Sequence, residues 1–226
     1  MNENRQRTVC SYVIRSGRLT HLQSQAIDRY FDNYGLTIDM DSISSEAVFS
    51  RQAELVLEIG FGMGDSLIEM AISGPETDFI GIEMHKPGIG RILHNIADKK
   101  LHNLRVYNDD AIKVFEQCIA DLSVDKVQIF FPDPWQKTRH HKRRLIQPDF
   151  IELVGQKLKP QGLLQLATDW QNYAEHMMKI MGASNTYQNL AGVNQFHQRL
   201  NRPLTKFEKR GEKLGHQVWD LVFQKI

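Results

Sequence analysis

With 226 residues, 41% of them hydrophobic, the chain can bury a core of ordinary domain size. A formal net charge of +1 excludes a polycation or polyanion, so affinity for nucleic acid would have to come from a local patch. Cys10 and Cys118 are the only cysteines and form no CxxC pair, which excludes a dense disulfide framework and leaves a reducing, cytoplasmic setting with no metal as the expectation.

Residues 1–18 are polar and carry Arg5, Arg7, Arg15 and Arg18, so they read as a basic, partly disordered segment ahead of one domain spanning 19–226. No apolar leader-type run opens the chain, and no window approaches 18 uninterrupted apolar residues, so no membrane span is expected. His21 to Tyr34 places Leu22, Ala26, Ile27, Tyr30 and Phe31 along one helical side, and Gly35 ends it.

From Leu55 onward, short apolar runs alternate with helical segments. Strands are predicted at Leu55–Ile59, Phe79–Glu83, Leu104–Tyr107, Val127–Phe131 and Leu163–Ala167. Helices are predicted at Gly64–Ile72, Lys86–Asp98, Ala111–Ile119, Pro148–Leu158 and Trp170–Met181, with Pro160 and Gly162 as stop signals after the fourth. Two further strands, near Tyr187–Leu190 and Gln217–Phe223, read as a hairpin-like pair closing one edge. Five βα units specify an α/β fold: a mostly parallel sheet with an antiparallel edge and helices on both faces.

Ligands of such sheets bind beyond the carboxyl ends of the strands. Glu58, Glu83, Asp110 and Asp133 lie at or just past the first four strand ends, and Asp169 follows the fifth. Asp110 has a second reading, as the N-cap of the next helix. The first strand exit carries Gly60, Gly62 and Gly64, which permit close backbone approach by a ligand. Asp65 stands where a dinucleotide fingerprint needs its third glycine, and an added acid is unwelcome beside a pyrophosphate. S-adenosylmethionine suits this turn because it carries an ammonium and a sulfonium but no phosphate. Glu58 is placed to orient its methionine end, Glu83 to accept from the ribose hydroxyls and Asp110 to accept from the adenine amine.

The fourth exit is denser in chemistry. Phe130-Phe131-Pro132-Asp133-Pro134-Trp135 is followed by residues 137–144, which hold five Lys or Arg and no acid. Phe131 and Asp133 both precede proline, which predicts extended backbone at each and a stiff mount for the carboxylate. Trp135 reads equally as an RNA-stacking face and as core. The cations suit phosphates, although such runs are often only a solvated face.

These motifs resemble those of the bacterial tRNA (guanine-N7)-methyltransferases, from about Arg15 to the C-terminus. The resemblance rests on Leu57-Glu58-Ile59-Gly60-Phe61-Gly62, Gly64, Gly81-Ile82-Glu83, Asp110-Ala111 and Phe130 to Trp135. It continues through Lys137, Arg139, His140 and Lys142-Arg143-Arg144, then Ala167-Thr168-Asp169 and Thr205-Lys206-Phe207-Glu208. Gln136 and Thr138 stand where relatives often carry Pro and a basic residue. The resemblance implies a class I, Rossmann-like methyltransferase fold and S-adenosylmethionine contacts at Glu58, Glu83, Asp110 and Asp133. It implies substrate contacts at Lys137, Asp169, Thr205, Lys206, Phe207 and Glu208. The match does not say which atom meets which; hydrogen bonding to the guanine edge, with Glu208 accepting from the N1–H and amine, is the role expected of the last stretch. Asp133 takes the central active-site role.

Guanine N7 has a free lone pair and needs no deprotonation before it attacks a methyl group. Asp133 is therefore expected to act as a buried, fixed carboxylate that positions the base and stabilises positive charge developing on it. In an A-form helix N7 lies in a groove too narrow for side chains, so an everted loop guanine is expected. Arg139, His140, His141, Lys142, Arg143 and Arg144 would then hold the RNA backbone. The expected partner is tRNA, with no obligatory protein partner and no membrane. Two other readings remain: an exocyclic-amine methyltransferase acting on adenine or cytosine, whose motif orders its prolines differently, and a non-catalytic RNA-binding module.

Overall fold

A computed structural model describes residues 11, 18–39, 43–199, 202–204, 208 and 217–226. Most of the basic N-terminal segment, and Thr205, Lys206 and Phe207, lie outside the described residues.

Helix α1 (His21–Tyr34) starts at a reciprocal cap in which Thr20 accepts from the Gln23 backbone while the Gln23 side chain accepts from Thr20 N–H. It leads into β1 (Gly35–Leu36) and then α2 (Ser45–Phe49), both too short to leave a periodic trace in the sequence. The alternating units follow as β2 (Glu54–Ile59), α3 (Asp65–Ser73), β3 (Thr77–Ile82), α4 (Lys86–Lys99), β4 (Leu104–Tyr107) and α5 (Ala111–Gln117). Next come β5 (Val124–Phe130), a 3-10 turn (Thr138–Arg143), α6 (Pro148–Lys157), β6 (Leu158–Thr168) and α7 (Gln171–Ala183), and last β7 (Tyr187–Asn189) and β8 (Trp219–Lys225).

The sheet order is β1-β4-β3-β2-β5-β6-β8-β7. Every pairing from β1 to β6 is parallel, and β8 runs antiparallel to both β6 and β7. The antiparallel edge predicted from the sequence is present, with one difference: the last strand inserts between β6 and β7. Leu221, Val222 and Phe223 are all buried, so β8 has apolar residues on both faces and belongs inside the sheet, while three-residue β7 makes a short outer edge.

A second difference concerns Pro160 and Gly162. The helix does stop before them, but they lie within β6, where the register against β5 shifts between Val124 and Lys126. A proline that cannot donate to a ladder is tolerated at such an irregularity.

Two apolar clusters sandwich the sheet. Leu55, Leu57 and Ile59 of β2 join Phe115, Phe150, Val154 and Tyr173 on one side; Val56 joins Leu67, Ile89, Ile92 and Leu93 on the other. The strand order reverses between β2 and β5, so the glycine loop and the Asp133 segment leave neighbouring strands at the switch point, where an α/β sheet opens a crevice.

Candidate active site

The glycine loop is held open for a ligand. Gly60, Gly62 and Gly64 have φ of 75°, 61° and 79°, a region that side chains disfavour. A Cβ added at Gly60 or Gly62 would meet nothing within 4 Å, so the space before them is free. Behind the loop, a Cβ on Gly88 would lie 1.9 Å from the Gly62 carbonyl, so the start of α4 can support the loop only without a side chain there. Glu83 staples the same loop. Gly62 N–H donates to its Oε2 at 2.8 Å, and Met84 and His85 N–H donate to its Oε1 at 2.8 and 2.9 Å. Oε1 already accepts two bonds and Oε2 one, so Oε2 keeps capacity for a ribose hydroxyl of the kind expected of it.

Ile59, Gly60, Ile82, Glu83, Asp109 and Phe130 are among the walls of a cavity of about 210 Å³ that extends to Asp133. The sequence singled out Asp110, but its carboxylate accepts from Ile112 and Lys113 N–H as the N-cap of α5, while Asp109 and Ala111 line the cavity. The adjacent acids are equivalent by composition, and only the cap geometry tells them apart.

Glu58 lies beneath the loop, 2% exposed, and its Oε2 has no hydrogen-bond partner among the described residues. Burial pushes its carboxyl from 4.5 up to about 8; Arg202 pulls it back, Glu83 pushes it further, and the Ser66 hydroxyl lowers it. An orphaned acceptor under a glycine cradle fits a cationic ligand group such as the ammonium of S-adenosylmethionine. Because the folded pKa is raised, this group's contribution to stability is fully present below about pH 4.5 and is lost as pH rises through about 8. Glu58→Gln is expected to flatten that fall in urea melts taken across the window; a wild-type slope would place the titration elsewhere.

At the end of β5 the backbone departs from expectation. Phe131 has φ of 53°, although a residue before proline favours extended geometry, and Trp135 has φ of 46°. Such conformations cost about 1–3 kcal/mol each and persist where surrounding contacts over-determine them. Phe131 N–H donates to Ala167 O at 2.8 Å, and the Arg202 guanidinium stands 5.4 Å from its ring centroid and 4.8 Å from that of Phe130. Asp133 itself is exposed rather than buried, so its low-dielectric surroundings must come from whatever covers it.

The cationic run divides. Lys137, which precedes the 3-10 turn, and Arg139, Lys142 and Arg143 on it are exposed, as phosphate contacts require. His140 and His141 are half-buried. Arg144 is a correction to the expected RNA set: it is 2% exposed and turned inward. Its Nε donates to Pro134 O at 2.9 Å, its Nη2 donates to Asn172 Oδ1 at 2.7 Å, and its guanidinium covers Tyr173. It ties the Asp133 segment to the start of α7. Trp135 is engaged too, with Arg143 over its ring at 4.9 Å, His140 edge-on, and its Nε1 donating to Ser11 O at 3.2 Å.

Glu208 is 2% exposed, and Arg202 Nη1 donates to its Oε2 at 2.6 Å while Arg202 Nη2 donates to Asp220 Oδ1 at 3.1 Å. Its carboxylate is therefore buried and paired with Arg202. Arg202 carried no motif signal, and only its burial identifies it.

Beyond Asp133 lies a second, wider cleft of about 1000 Å³, with Asp169, Trp170 and Trp219 among its walls. Phe131, Pro132 and Asp133 line both spaces, so the carboxylate stands on the partition between a ligand cavity and an open cleft.

Comparison with known proteins agrees with this arrangement. A family model described as "Putative methyltransferase" matches residues 52–221. A tRNA (guanine-N(7)-)-methyltransferase of Alcanivorax borkumensis is 54% identical over 97% of this chain and 92% of its own length. Relatives of the same name from Shewanella amazonensis (51%; 97% of this chain, 93% of its own) and Saccharophagus degradans (50%; 99% and 98%) match as fully. The chain belongs to the tRNA (guanine-N(7)-)-methyltransferase family. Among solved structures, the 16S rRNA methyltransferase KamB superposes with a TM-score of 0.58 at 14% identity, covering 82% of this chain and 95% of that one. TrmN from Thermus thermophilus gives 0.54 at 16%, covering 80% and 47%. These likenesses establish the class I methyltransferase fold. In this family's motifs, the glycine loop, Glu83 and Asp133 meet at one crevice, while the acid of Thr205-Lys206-Phe207-Glu208 lies in the interior.

Proposed function

We propose that this chain transfers a methyl group from S-adenosylmethionine to N7 of a guanine in tRNA, at an everted base of the variable loop, and releases 7-methylguanosine in the RNA. One observation carries the reading: Asp133 stands on the wall shared by the glycine-loop cavity and the cleft, between donor and acceptor. When bound, S-adenosylmethionine supplies an electrophilic methyl group on a sulfonium. Glu58, Glu83 and the Gly60–Gly64 loop hold the donor side, and Asp109 borders it. Asp133 orients the purine and offsets the positive charge that builds on it as N7 uses its lone pair. No residue needs to remove a proton from the attacking atom.

Lys137, Arg139, Lys142 and Arg143 are exposed cations that follow Gln136, a residue of the cleft wall, in the chain and would anchor phosphates of the RNA. No helix among the described residues is long and apolar enough to cross a membrane. With tRNA as substrate, the cytoplasm is the compartment proposed.

The test is transfer of label from S-adenosylmethionine to unmodified tRNA, with nucleoside analysis of the product. Label in 7-methylguanosine is the expected result. Label in an N6-methyladenosine or N4-methylcytidine peak would replace this reading with the exocyclic-amine alternative.

A further inference from the structure

The cleft beyond Asp133 has an unusual composition for a site that receives RNA. Three carboxylates line it, from Asp133, Asp169 and Glu175, and among the described residues no Lys, Arg or His does. A phosphate would be repelled there. The cations begin outside it, on the 3-10 turn. The cleft also holds two indoles. Trp219 is the register partner of Thr168 across the β6–β8 pair, and Trp170 follows Thr168 by two residues, its N–H donating to Thr168 Oγ1 at 3.2 Å. Both therefore come to the same end of adjacent strands, beside Asp169. Trp170 is 37% exposed, so its ring is open to a ligand. Trp135, the indole that the sequence places nearest the motif, has Arg143 on its ring and a backbone carbonyl on its Nε1.

We infer that this cleft is a base slot for the everted guanine, in which Trp170 stacks on the purine and Asp169 accepts from its N1–H and 2-amine. The inference rests on the function proposed above and assigns the residue that grips the base. Each property of guanine has a counterpart. The π face meets an indole. The donor edge meets a carboxylate, which would repel the lone pair that adenine presents at N1. The methylated base carries a positive charge, and an indole face beside carboxylates favours that charge. Trp170 therefore contributes to base capture and to the charged state formed during transfer. Trp219 forms another wall of the slot.

Two variants test this, Trp170→Leu and Trp170→Phe, because both keep apolar volume and only Phe keeps a π face. The Leu variant is expected to lose roughly 5- to 100-fold in kcat/KM for tRNA. The Phe variant is expected to stay within about threefold of wild type, and donor Kd is expected to be unchanged in both. A Leu variant with wild-type kcat/KM would overturn the assignment, as would a Phe variant impaired as much as Leu. Donor Kd weakened in parallel with turnover in both variants would also overturn it, since that is the signature of a general structural role. The wild-type arm separates this inference from its parent: if wild-type protein forms no 7-methylguanosine, the proposed function fails, whereas normal product with an indifferent Leu variant rejects the slot alone.

Discussion

Replacing Asp133 by Asn is expected to lower the methyl-transfer rate at least about 100-fold while donor affinity changes by less than about 1 kcal/mol. The substitution keeps the shape of the side chain and removes its charge. Asp133 is exposed and stands on the wall common to the glycine-loop cavity and the wider cleft. In the proposed mechanism its charge acts where positive charge appears on the purine, in a setting that dries when RNA covers it. Donor affinity is expected to be maintained by Glu58, Glu83 and the glycine loop, which the change leaves intact. Single-turnover kinetics with saturating donor and tRNA would read the chemical step directly. Wild-type turnover in the Asn variant would remove Asp133 from the mechanism.

Arg202→Met is expected to destabilise the fold by about 3–5 kcal/mol, because it withdraws the guanidinium contacted by two buried carboxylates. Arg202, Glu208 and Asp220 are each buried, with side chains at 2%, 1% and 2% exposure, and Arg199 also reaches Glu208 at 3.3 Å. The same guanidinium covers the rings of Phe130 and Phe131. It thus links the segment around Pro203, the last strand, and the strained residue that mounts the Asp133 turn. Urea unfolding would measure the loss. A companion variant that also carries Glu208→Gln and Asp220→Asn is expected to recover most of it, since the buried charges leave together. If Arg202→Met alone unfolds at the wild-type urea midpoint, the cluster is not a stabilising element.

The corrections share a cause. Arg144 lies within a run of cations, and composition assigns it to solvent with its neighbours. An arginine can bury its stem and still satisfy its fork inside the protein, as Arg144 does on the Pro134 carbonyl and the Asn172 side-chain amide oxygen. Glu208 ends a motif and reads as a substrate acceptor, yet its charge is matched internally by Arg202 and Arg199. In each case the deciding partner lies at a sequence separation that no local pattern encodes.

Local information was sufficient for much of the protein. Strand and helix order, the helix from His21 to Tyr34, the glycine loop and the Asp133 segment are legible in the chain because periodicity, capping residues and proline are short-range effects. So is family membership, because the motifs around those turns are specific. Tertiary structure alone decided that β8 enters the sheet between β6 and β7, that Asp109 rather than Asp110 borders the cavity, and that Glu58 keeps a buried oxygen without a hydrogen-bond partner among the described residues. It also brought Trp170 and Trp219 to one cleft with Asp133. Those outcomes depend on which distant strands become neighbours, and strand pairing is set by contacts between residues far apart in the chain, which the sequence specifies only through the whole fold.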